Sequence, residues 1–157
     1  MTPLESIRAE LDIERQRIIS SFTAPQTHKG IMVHYLADCH DECPDTVISN
    51  AKQIMQVINE TSQAQWHNVD EWISMLPTYV TDSFSSAIDE HDEWSLEGWL
   101  YWFELEHRAW FLWEIEAVGD SQLQISIWIY EHPFPSEALE VLFMKLGTGQ
   151  LTEIGIH

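Results

Sequence analysis

Residues 108–129 read RAWFLWEIEAVGDSQLQISIWI, and this stretch decides the fold. From Arg108 to Val118 it is dense in aromatic and β-branched side chains, which suit a pleated, half-buried backbone. Gly119-Asp120-Ser121 interrupts the run, after which Leu123, Ile125, Ile127 and Ile129 recur at a strict period of two. Two such runs around a short Gly-bearing turn specify a β-hairpin.

Upstream of the hairpin, Trp99-Leu100-Tyr101-Trp102-Phe103 is apolar on both faces, and residues Trp99 to Glu106 are read as a preceding strand, with a helix entered through Ser95 as the alternative. Downstream, Pro133-Phe134-Pro135-Ser136 opens a helix to about Leu146, with Gly147 as its stop, and Leu151 to Ile156 can add a short strand. The N-terminal half is helical by pattern. Thr2-Pro3-Leu4-Glu5 has the hydroxyl, proline and glutamate of a capping box, and a helix of about twenty residues follows. Its stripe is Leu4, Ile7, Leu11, Ile18 and Phe22, with Arg8, Glu10, Glu14, Arg15 and Arg17 on the other faces, and Ala24-Pro25 ends it. Ile31 to Leu36 is short and apolar, either a strand or a helix start. Pro44-Asp45 opens a helix whose stripe is Val47, Ala51, Ile54, Met55 and Ile58. A shorter one spans about Asn68 to Leu76, with Val69, Trp72, Ile73 and Leu76 inward and Pro77 beyond. The expected architecture is a single acidic α+β domain over 1–157: N-terminal helices, then a small antiparallel β-meander with a C-terminal helix packed on it.

Charge narrows the function. The chain has 26 acidic residues against seven basic ones, a formal charge of -19, and 45% hydrophobic residues that suffice for a core. Nucleic-acid binding draws its affinity from Lys and Arg at phosphates, so it is excluded as an expectation, as are anionic membrane surfaces. No apolar run approaches the ~20 residues of a membrane helix, and Met1 to Glu10 lacks a basic segment followed by an apolar one. A cytoplasmic protein with a basic protein partner is the expectation.

The charge is uneven. After Thr78 there are fifteen acids and two bases, net -13, and positions 53–107 contain no Lys or Arg. The densest point is Asp89-Glu90-His91-Asp92-Glu93-Trp94, with Glu97 and Trp99 just beyond. Interface cores favour aromatics ringed by polar groups, and here the ring is acidic. On strands, Glu104 and Glu106 would share one face, Glu114 and Glu116 another, with Trp110, Leu112 and Trp128 at the parity of the glutamates on their own strands. These acids, with Trp94 and Trp110, form the expected partner-binding surface; the bland alternative is a hydrated acidic linker and a tryptophan-rich core.

Catalytic and metal motifs are sparse. Asp38-Cys39-His40-Asp41-Glu42-Cys43 could offer two thiols and an imidazole to zinc, but Cys-x3-Cys is not distinctive and no second cysteine pair closes a site. Acidic neighbours should raise both thiols and blunt their reactivity. The eight histidines form no His-x3-His or HExxH arrangement, and no nucleophile elbow or phosphate-binding glycine loop occurs. The expectation is therefore a protein without cofactor or catalytic residue. Its leading role is an inhibitor of a basic protein, concretely an immunity protein that neutralises a cationic toxin such as a nuclease by covering its positive cleft. An adaptor using an apolar groove is the second reading, and a metal-dependent enzyme the third.

Overall fold

A computed structural model describes residues 3–20, 30–39, 43–85 and 95–156. The elements are α1 (Pro3–Ser20), β1 (Ile31–Asp38), α2 (Pro44–Ala64), α3 (Val69–Met75), α4 (Thr78–Ser85), α5 (Leu96–Tyr101), β2 (Trp110–Val118), β3 (Gln122–Ile129), α6 (Glu137–Lys145) and β4 (Thr152–Ile156). The fold is α+β, with a four-stranded antiparallel sheet in the order β2-β3-β1-β4. It corrects the expected meander. Ile31 to Leu36, whose pattern fits a strand or a helix start, lies in a central strand, Ile31–Asp38, so strands and helices interleave along the chain. β1 is buried between two partners, which is why its residues do not alternate cleanly between apolar and polar.

One sheet face carries the main core. Val33, Tyr35 and Ala37 on β1 stand opposite Ile127, Ile125 and Leu123 on β3, and Trp110, Leu112 and Ile115 extend the same face onto β2. Against it pack the α2 stripe, where Val47, Ala51, Ile54, Met55 and Ile58 are all fully buried, and Leu139, Leu142 and Phe143 of α6. The α3 stripe is narrower than its pattern suggests. Trp72 and Leu76 are buried, but Ile73 is 48% exposed.

The other face holds a smaller cluster in which Leu11 of α1 meets Met32, Phe111 and Trp128, with Ile7, Leu105 and Trp113 at its margin. Here Gly30 is required by close approach: a Cβ at that position would lie 2.2 Å from the Trp128 ring.

Two segments depart from the strand reading. Trp99 to Glu106 is not a strand. Ser95 caps α5 by accepting the Gly98 N–H at 3.0 Å, and after Tyr101 the chain runs through successive turns to His107. Glu104 and Glu106 therefore form no strand face. In β2, the register slips between Leu112 and Glu114. The slip is a β-bulge, and by the period of two it moves every later residue to the opposite face. Trp110 and Leu112 thus point into the main core, while Glu114 and Glu116, opposite Ser126 and Gln124, share the other face with Trp128. Their expected common parity is corrected by that one extra residue.

Candidate functional site

The expected partner surface divides into four parts. Asp89, Glu90, Asp92, Glu93 and Trp94 lie outside the described residues. Trp110 is 1% exposed and packs edge-on against Phe103, so it is core and not surface. Glu114 and Glu116 are exposed neighbours on one face of β2, as expected. Burial and the adjacent Glu116 carboxylate, with which it shares a hydrogen bond, push the Glu114 carboxyl up, against the pull of Arg17 and Lys52.

Glu104 is shared by two clefts, with Glu97 lining one and Glu106 the other, and no strand is needed to place them. The α2–α3 connection brings Trp66, His67 and Asn68 against α5 and the turn after it, enclosing a cleft of about 490 Å³. Its walls are Trp66, Trp72, Val69, Leu100 and Tyr101, with the carboxylates of Glu97 and Glu104. A second cleft of about 210 Å³ shares Trp66 and Glu104 and adds Glu106, Ser62 and Arg8, whose guanidinium donates to the Gln63 carbonyl at 2.9 Å. No Lys or Arg is among the residues lining the larger cleft.

Local chemistry holds these walls. Asn68 starts α3 with a full capping box: its side chain accepts from the Glu71 N–H, and the Glu71 carboxylate accepts from the Asn68 N–H. The Glu71 carboxylate also meets His67 Nδ1 at 3.0 Å. Trp66 packs on Trp72 with ring centroids 4.9 Å apart. Across the cleft, Tyr101 stacks on His107 at 3.9 Å, and His107 Nδ1 lies 3.3 Å from the Glu104 carboxylate. Tyr101 remains 47% exposed, and the buried indole N–H of Trp72 has no hydrogen-bond partner. Trp66, His67 and Trp72 were not foreseen as site residues. Their signal was present in the aromatic pair flanking a capping-box start.

Elsewhere, α1 carries a buried polar nest. Glu14 and Arg108 have fully buried side chains and pair at 2.5 Å through Arg108 Nη2 and Glu14 Oε2. The same carboxylate accepts from the Leu112 N–H at 2.6 Å and from Asn59 at 2.7 Å. Asn59 also donates to the Leu11 carbonyl and accepts from Gln63, while Arg108 Nε donates to the Trp110 carbonyl. Burial raises the Glu14 carboxyl and lowers the Arg108 guanidinium, with each partner opposing that push on the other. Three residues along α1, Arg17 lies 4.2 Å over the Trp113 ring and donates to the Trp113 carbonyl at 2.6 Å. Glu10, Glu14 and Arg17, expected on solvent faces, are all buried. Glu14 and Arg17 face β2, which is an edge strand with backbone groups to satisfy, while Glu10 meets Tyr130 just beyond β3.

Among the described residues no group of three or more His, Cys, Asp or Glu is placed to hold a metal ion, and His40, Asp41 and Glu42 fall outside them. The two thiols differ. Burial, Cys43 and Asp38 raise Cys39, in the expected direction, whereas the exposed Cys43 is lowered by the Thr46 hydroxyl and backbone at the start of α2, against expectation. Among the described residues, no helix is long and apolar enough to cross a membrane. No protein-family model, curated protein or solved structure matches the chain.

Proposed function

We propose that the protein is an acidic inhibitor of a basic protein, of the immunity-protein kind, which docks against a positive cleft such as a nuclease uses for phosphate. The observation that carries this reading is the larger cleft, where exposed and half-buried aromatic rings stand beside carboxylates with no Lys or Arg in the lining. A net charge of -19 steers such a surface towards a cationic partner, and buried aromatic anchors then hold it. The test is co-purification with the basic product of a neighbouring gene, followed by assay of that product's activity with and without the chain. Stoichiometric inhibition that weakens with added salt is the expected result. Absence of binding, or inhibition indifferent to salt and to neutralising Glu97, Glu104, Glu114 and Glu116 together, would reject it.

A second reading, an adaptor with an apolar contact surface, draws on Ile73, Met75 and Tyr79, each at least 40% exposed on α3 and α4. It predicts binding that survives both salt and charge neutralisation but fails on replacing Ile73 or Met75 with Ser.

A further inference from the structure

The molecule houses two of its own arginines in a particular way. Arg108 sits with its guanidinium carbon 5.2–5.5 Å from the Phe103, Trp110 and Phe111 rings and is paired to the Glu14 carboxylate. Arg17 lies 4.2 Å over Trp113, within the electrostatic reach of Glu114. A flat cation on an aromatic ring beside a carboxylate gains both quadrupole attraction and charge-assisted hydrogen bonds.

The larger cleft repeats that wall chemistry on the surface. Trp66, Trp72 and Tyr101 supply rings, Glu97 and Glu104 supply carboxylates, no Lys or Arg lines it, and the His67 imidazole in its wall is turned to the Glu71 carboxylate at 3.0 Å. We propose that this cleft is a receptor for an arginine side chain projecting from a short segment of a basic partner protein. This rests on the inhibitor reading and names the anchor that the partner would insert. Charge complementarity selects a cation, and the rings select guanidinium over ammonium, because guanidinium is planar, weakly hydrated and able to engage a carboxylate through two N–H groups. At about 490 Å³ the cleft also has room for backbone flanking the arginine.

The experiment uses the full chain and three capped pentapeptides, identical except for a central arginine, lysine or citrulline. Binding is read from the indole N–H resonances of Trp66 and Trp72 at low salt. The arginine peptide should shift them, the lysine peptide should bind more weakly, and citrulline, which keeps the shape and loses the charge, should not bind. Glu97→Gln combined with Tyr101→Ala should weaken the arginine peptide by about tenfold or more. Both positions are exposed, so unchanged thermal unfolding separates loss of a site from loss of fold. Glu114→Gln with Glu116→Gln, which removes two charges away from the cleft, should change the affinity by less than about twofold. Equal binding of arginine and lysine peptides, or equal loss in the two neutralised variants, would overturn the receptor in favour of diffuse charge. A basic partner captured undiminished by the Glu97→Gln/Tyr101→Ala variant would overturn the receptor while leaving the inhibitor reading intact. Arginine-peptide binding with no basic protein partner found would do the reverse.

Discussion

The nest beneath β2 and the cleft beside α5 are built from the same materials, glutamate and aromatic rings, and meet opposite conditions. In the nest, the chain supplies its own cation: Arg108 closes on Glu14, and Asn59 and the Leu112 N–H donate to the same carboxylate. In the cleft, the rings and carboxylates open to solvent, and the chain contributes no Lys or Arg to the lining. The difference separates two uses of charge. A buried ion pair is costly to assemble and more costly to break, so it fixes where α1 sits against the sheet. A solvent-facing one costs little to lose and is available to something outside.

That contrast breaks first at Arg108. Arg108→Ala leaves the Glu14 carboxylate buried without its counter-charge, and the expected loss is ~3–5 kcal/mol of folding stability, read as a lower urea midpoint. Replacing both partners, Glu14→Leu with Arg108→Met, should cost less than Arg108→Ala alone, because no charge is then stranded. A loss under about 1 kcal/mol for Arg108→Ala would mean that the nest does not hold α1 in place. A smaller effect is expected one turn along the helix. Arg17→Met keeps the aliphatic stem over Trp113 but removes the cation and the hydrogen bond to the Trp113 carbonyl, for ~1–2 kcal/mol by the same measurement.

How much of this was legible in the sequence follows from where each contact comes from. The α2 stripe depends only on helical period, and all five predicted positions are buried. The hairpin depends on period two and a turn, and it forms as β2 and β3. The segment 99–106 shares the acid–aromatic alternation of β2, yet it takes the helix offered by the Ser95 cap and then turns, because no strand partner pairs with it. The bulge at Trp113 has no local signature, since it exists only in the pairing of β2 with β3. It sends Glu114 to a face that strict alternation denies it. The nest was partly legible: residues 10, 14 and 17 lie on one helix face, and charged residues at that spacing can line a buried seam when partners arrive from elsewhere. Those partners, Asn59 and Arg108, are distant in sequence and invisible to any local window.

The cleft side of the comparison should be nearly silent in stability. Glu97→Gln with Glu104→Gln is expected to stay within ~0.5 kcal/mol of the parent in urea unfolding, since Glu97 is exposed and Glu104 makes only an ion pair with the partly exposed His107. A drop as large as that of Arg108→Ala would erase the distinction between the two regions and make the cleft wall part of the framework.

Between these extremes lies Glu114, exposed yet pressed upon by Glu116 and partly shielded by the surrounding side chains. Its carboxyl is raised in the folded chain, so the folded state holds this proton more tightly than the unfolded one. The stabilising contribution is therefore fully present below the unfolded glutamate value of about 4.3 and is lost as pH rises through the higher folded value. Glu114→Gln mimics the protonated form and has no charge to pay for. The variant should be slightly more stable than the parent at pH 7, and the gap should close as pH falls below about 4. Paired unfolding curves of variant and parent across that range cancel the titration of the other carboxylates. A gap that instead widened on acidification would mean that Arg17 and Lys52 govern Glu114, placing it with the paired carboxylate of the nest.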